Sequence, residues 1–139
     1  MRLSLETVLM KCAMGINDKK YNTLCTIFRT YLKIILNKNI EKHLSENKCI
    51  ICGKKLRTRK ALVSHIMASN KCKYEIRKLI DQFYNYYRET IRKGENQRIH
   101  KLSSGKYYST YTQKLYDNLE ELIKDTLNIY NKKYTGGTT

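Results

Sequence analysis

Cys49, Cys52, His65 and Cys72 are spaced Cys-x2-Cys-x12-His-x6-Cys within the segment KCIICGKKLRTRKALVSHIMASNKC. No other feature limits the fold so tightly. Two thiolates on a tight turn and two ligands from a following helix can close the tetrahedral shell of a zinc ion. A second layer of pattern agrees with the first. Leu56 follows Cys52, and Leu62 precedes His65 by three residues, where a small metal-built core needs apolar side chains. Other readings of the cysteines are buried small hydrophobes or a disulfide. The chain shows no signal-peptide pattern, which points to a reducing intracellular compartment, cytoplasm or nucleus, where disulfides are rare. His43 and His100 are the alternatives for a fourth ligand if Cys72 points away. Cys12 and Cys25 lie in apolar helical patterns and read as core.

The segment resembles the two-Cys two-His zinc finger. Cys49, Cys52 and His65 match that family's first three ligands, and Leu56 and Leu62 match its hydrophobic pair. The fourth ligand departs from the pattern, being a cysteine six residues beyond His65, and this predicts that the helix ends or loosens near Ser69 and Asn70. The resemblance covers about 25 of the 139 residues. It implies a ββα unit whose helix enters the DNA major groove. By position in that unit, Thr58, Lys60, Ala61 and Ser64 would face bases, with Lys60 the strongest reader and Ala61 suited to a thymine methyl.

Charge supplies the second constraint. The chain has 28 Lys and Arg against 12 Asp and Glu, a formal net charge of +16. Residues 48–106 hold 16 of those cations and only Glu75, Asp81, Glu89 and Glu95 as acids, so +12 is concentrated there. Such a concentration predicts a polyanionic partner, because each neutralised phosphate releases counterions. Lys54, Lys55, Arg57 and Arg59 read as phosphate contacts. Lys73, Arg77 and Lys78, with Arg88, Arg92, Lys93, Arg98, Lys101 and Lys106 beyond them, would extend a footprint that one finger restricts to about three base pairs. A homodimer would extend it equally well. No apolar run approaches the roughly 18 residues that span a bilayer, and a membrane partner is not expected.

The fold class expected is mainly α, a helical domain with one inserted ββα zinc finger. Its parts are N-terminal helices over 1–46, the finger over 47–72, two long helices joined by a basic linker over 73–131, and a flexible tail over 132–139. Ser4 caps a helix to about Met14, with Gly15 as its stop. Asn17-Asp18 opens a second, striped by Tyr21, Leu24, Cys25, Phe28, Tyr31, Leu32 and Ile35, and a short turn follows at Ile40–Leu44. After Cys72 a helix runs to about Lys93 with Ile76, Leu79, Ile80, Phe83, Tyr84, Tyr87 and Ile91 inward, and Gly94 ends it. Residues 94–109 read as a linker without period. The last helix is expected from about Thr110 to Tyr130, with Asp117, Glu120, Glu121 and Asp125 outward.

Catalysis is not expected. Metal hydrolysis needs an open coordination position and a nearby carboxylate, whereas four protein ligands close this site and no acid lies between Cys49 and Cys72. A deaminase motif would need proline, which the chain lacks. These features together predict a zinc-dependent DNA-binding protein acting as a transcriptional regulator, with DNA favoured over RNA by the resemblance alone. The alternatives are a nonspecific nucleic-acid coating or packaging protein, and an interaction factor that docks on transcription machinery.

Overall fold

The computed structural model describes residues 4–134. The fold is mainly α, with six helices and two small antiparallel sheets among the described residues. The chain separates into two compact units, Met1–Asp81 and Gln82–Thr139. No described helix is long and apolar enough to cross a membrane.

The first unit begins with α1 (Leu5–Ala13), capped as expected by the Ser4 hydroxyl, which accepts from the Thr7 N–H at 3.1 Å. Asp18 caps a single 3-10 turn, Lys19–Tyr21, so α2 proper is Asn22–Leu36. Asn37, left-handed at φ 52°, stops it. Next come α3 (Ile40–Ser45), α4 (Arg59–Ala68) and the first part of α5 (Asn70–Thr90). α1 packs on α2 and α2 on α3. Leu9, Ala13, Phe28, Leu32, Ile40, Ile50, Leu62, Ile66 and Ile76 are buried in this unit. Arg29 on α2 donates to the Cys12 carbonyl at 2.9 Å and so satisfies an end-of-helix acceptor of α1. Cys12 and Cys25 are buried, in keeping with their apolar surroundings in the sequence.

The second unit differs from the sequence expectation at three places. α5 ends at Thr90, not Lys93, because Gly94 (φ 60°) serves as a turn residue of the hairpin between β1 (Arg92–Lys93) and β2 (Asn96–Gln97). A glycine with positive φ is what a two-residue hairpin turn requires. The stretch read as an irregular linker folds into β3 (Ile99–Lys101) and β4 (Tyr107–Ser109), and β5 (Lys114–Tyr116) completes a three-stranded antiparallel sheet. Gly105 at φ 91° and Gln113 at φ 60° make the two reversals. The last helix, α6, therefore spans Leu119–Tyr134, not 110–130; the Asn118 side chain accepts from the Glu121 N–H at its start. Lys132–Tyr134 of the expected tail form its last turn, and 135–139 lie outside the described residues.

Within α5 Tyr87 is buried as expected, and the second buried tyrosine is Tyr86, not Tyr84. Tyr86 continues the three- and four-residue spacing from Phe83, whereas Tyr84 lies off that stripe and is exposed beneath Arg88. Ile35, read as inward at the end of α2, is also exposed. Asp125, assigned to the outer face of α6, instead accepts from the Tyr116 hydroxyl at 2.5 Å. The sheet packs on α6 through β4 and β5, and Ile99, Ser109, Tyr116, Leu122, Ile123 and Leu127 are buried. At the centre of this unit the Tyr86 hydroxyl lies 2.7 Å from Thr126 Oγ1, both fully buried. Tyr86→Phe should cost about 1 kcal/mol in denaturant unfolding. The cost stays small because Thr126 keeps its bonds to the Leu122 and Ile123 carbonyls. An unchanged midpoint would show that the pair contributes nothing.

Candidate metal centre

The turn that carries the first two ligands is built by backbone bonds. The Cys49 N–H donates to the Lys54 carbonyl and the Gly53 N–H to the Cys49 carbonyl, each at 2.9 Å. Gly53 sits at φ 79°, where a side chain would be strained. A single antiparallel bridge, Lys48 to Lys55, and a bond from the Leu56 N–H to the Asn47 carbonyl tie the two arms together. The amine of Lys38 donates to the Ile50 carbonyl at 2.9 Å and holds the turn from outside. The arms meet at one bridge, and neither forms a strand.

Thr58 caps α4 by accepting from the Ala61 N–H at 3.0 Å. That helix carries His65 and ends at Ser69, whose backbone is extended. The Ser69 hydroxyl and carbonyl then accept from the N–H groups of Cys72 and Lys73, starting α5. The break near Ser69 and Asn70 is therefore present, and it is what turns Cys72 back towards His65 despite the long gap between them.

The ligand atoms of Cys49, Cys52, His65 and Cys72 all lie within 4.8 Å of one another. Cys49 Sγ and Cys72 Sγ are 3.7 Å apart; His65 Nε2 is 3.3 Å from Cys52 Sγ and 3.9 Å from Cys72 Sγ. Metal–sulfur bonds of about 2.3 Å and metal–nitrogen bonds of about 2.05 Å at tetrahedral angles put ligand atoms ~3.6–3.8 Å apart. The observed separations bracket that value, so the group can hold a metal ion. All three thiols are free, and a disulfide is excluded by the same distances.

Burial pushes the Cys49 thiol up to about 11. The Cys52 thiol, at the exposed edge, is held at about 7: burial works upward, but the Lys54 backbone N–H together with His65, Cys49 and Cys72 outweighs it. A bound ion must displace the Cys49 proton, whereas Cys52 gives up its own near neutrality. The alternative ligands are elsewhere. His43 Nδ1 lies 2.9 Å from the Asn39 carbonyl, and His100 is on β3.

Leu62 is fully buried, as the hydrophobic pair requires, and Leu56 is half-buried. Ile50 and Ile66 also have no exposed surface. The sequence reading passed over both, although each directly follows a ligand and the apolar type was a usable signal.

The expected contact residues divide. Lys54, Lys55, Arg57, Lys60, Ser64 and Lys78 are exposed, while Ala61 and Lys73 are half-buried. The Thr58 hydroxyl is committed to the helix cap. Arg77 lies 3.2 Å from Glu6, a mostly exposed pair that leaves the guanidinium able to change partner. Arg59 needs correction. It is half-buried and donates to the Gly15 and Leu44 carbonyls and to Asn47 Oδ1, so its guanidinium ties α4 to two preceding loops. A charged side chain at a helix start reads as surface in sequence, and only the fold brings three acceptors to it.

Comparison with protein-family models, with characterised proteins and with solved structures finds no match to this chain.

Proposed function

We propose that the protein is a zinc-dependent DNA-binding protein that acts as a transcriptional regulator, with residues 47–72 serving as a variant zinc finger whose two bridged arms stand where the family has strands. The observation that carries this reading is the pairing of a closed four-ligand site with exposed cations on the elements the site fixes. Three thiolates and one imidazole at tetrahedral spacing suit zinc best among the divalent ions. Four protein ligands leave no position open for substrate, which fits a structural ion and a non-enzymatic protein. Lys54 and Lys55 on the turn, Arg57 before the cap and Lys60 in the first turn of α4 are all exposed. They lie in the segment whose formal charge is +12. The N-terminus of α4 adds its own partial positive charge where a phosphate would approach.

Selection of binding sites from a random duplex pool tests the reading directly. Enrichment of a short motif supports a regulator, and uniform, steeply salt-dependent binding supports a packaging role. Absence of duplex binding at low salt would refute both. Lys60→Ala should relax the preference at one base position by about 1–3 kcal/mol, while Lys54→Ala should weaken every sequence alike and lower the salt slope by about one. Equal effects of the two variants on every sequence would remove Lys60 from base recognition.

A further inference from the structure

Strand register in the second unit assembles a surface that linear order hides. In the β3–β4–β5 sheet, Ile99 pairs with Ser109, His100 with Tyr108, and Tyr108 with Leu115. Ile99, Ser109 and Tyr116 are buried on the side of the sheet that packs on α6. Side chains alternate along a strand, so His100, Tyr108 and Leu115 form one row across all three strands on the opposite face. His100 is exposed, Tyr108 half-buried and Leu115 56% exposed. An imidazole, a phenol ring and an isobutyl group side by side make a flat, apolar and partly aromatic platform.

Cations border the row. Arg98 precedes β3 and is half-buried, its guanidinium 5.6 Å from the Tyr111 ring centre and near enough to Glu89 to help Lys133 hold that carboxyl below its usual range. Lys106 precedes β4 and lies 3.6 Å from Asp117. Residues 92–116 hold six Lys and Arg against one acid, Glu95. An apolar peptide would match the platform but not this rim. A base stacked on Tyr108 with its phosphates towards Arg98 and Lys106 matches both, and stacking requires the base to be unpaired.

We propose that the outer face of this sheet is a binding site for single-stranded DNA, with Tyr108 as the stacking residue, His100 and Leu115 flanking it, and Arg98 contacting phosphate. The choice of DNA over RNA rests on the reading proposed for the metal module; the site itself does not use α4. The test compares labelled oligothymidine with a labelled duplex by anisotropy at low salt, using the full-length zinc-loaded protein. Tyr108→Ala and the exposed-site variant Leu115→Glu should each weaken oligothymidine binding about tenfold, within the range of one stacked base. Tyr108→Phe should keep it, and duplex affinity should not move in any of the three. No binding to oligothymidine by the unaltered protein, no loss in Leu115→Glu, or equal losses on both forms of DNA would overturn the proposal. Oligouridine bound tighter than oligothymidine would overturn the assignment to DNA. Failure of duplex binding alone, with these single-strand results intact, would instead count against the metal module's proposed role.

Discussion

Cys49→Ala should take the protein from one bound zinc ion per chain to nearly none and unfold residues 48–72. Without the ion the segment keeps the hydrogen bonds through which Lys38 and Arg59 tie it to its surroundings, and these are weaker than a closed four-ligand site. Its arms share one bridge, and its own buried apolar groups are chiefly Ile50, Leu62 and Ile66. Structural zinc contributes on the order of 10 kcal/mol to modules of this kind, far more than three such side chains at ~2 kcal/mol each. Cys49 is fully buried, so alanine removes a ligand from the interior and water cannot readily replace it. The loss should stay local, because α2 and α6 are organised by Phe28, Leu32, Leu122 and Leu127, none of which is a ligand. Metal analysis, far-UV circular dichroism and amide exchange over 48–72 measure the three parts of this expectation. A variant that retained one zinc per chain and protected amides there would show that Cys49 is not a ligand. Acid should reproduce the release in the unaltered protein, since the ion competes with protons for the same thiolates.

The ligand group was readable because its information is local. Spacing between chemically distinctive residues survives any arrangement of the flanks, and the break at Ser69 followed from the long gap before Cys72. The stripes of α2 and α5 were readable for a related reason, since a period sampled over many turns averages out single departures such as Tyr84. The strands of 99–116 carry no such redundancy. Each is three residues long, which shows at most one alternation, and Tyr107-Tyr108 places two like residues on opposite faces. Their register comes from pairing between strands, and pairing leaves no mark within a segment. The same reasoning covers Arg59. Its charge placed it on the surface in the linear reading, and its three acceptors come from residues 15, 44 and 47.

Arg59→Ala should destabilise the protein by about 3 kcal/mol, because charge-assisted hydrogen bonds to half-buried acceptors contribute roughly 1.5–3 kcal/mol apiece and cannot all be replaced by water. Gly15 gives an independent handle on the same contact. It sits at φ 80°, and a Cβ built there would overlap Arg59 Nη1 and crowd Cζ. Gly15→Ala should therefore combine a backbone penalty of about 1 kcal/mol with partial expulsion of the guanidinium. The double variant should be less destabilised than the sum of the two, because the three atoms nearest the added methyl all belong to Arg59 and leave with it. Arg59→Lys should recover only a minor part of the loss, since one ammonium cannot span three acceptors held by a planar fork. Denaturant unfolding of the four proteins decides the matter, and duplex binding measured beside it separates structure from contact. If Arg59 bound phosphate, its replacement would lower affinity and the salt slope while leaving the unfolding midpoint in place. The arrangement seen here requires the reverse: a large fall in midpoint, strict additivity absent, and a salt slope that does not change when the folded protein is titrated.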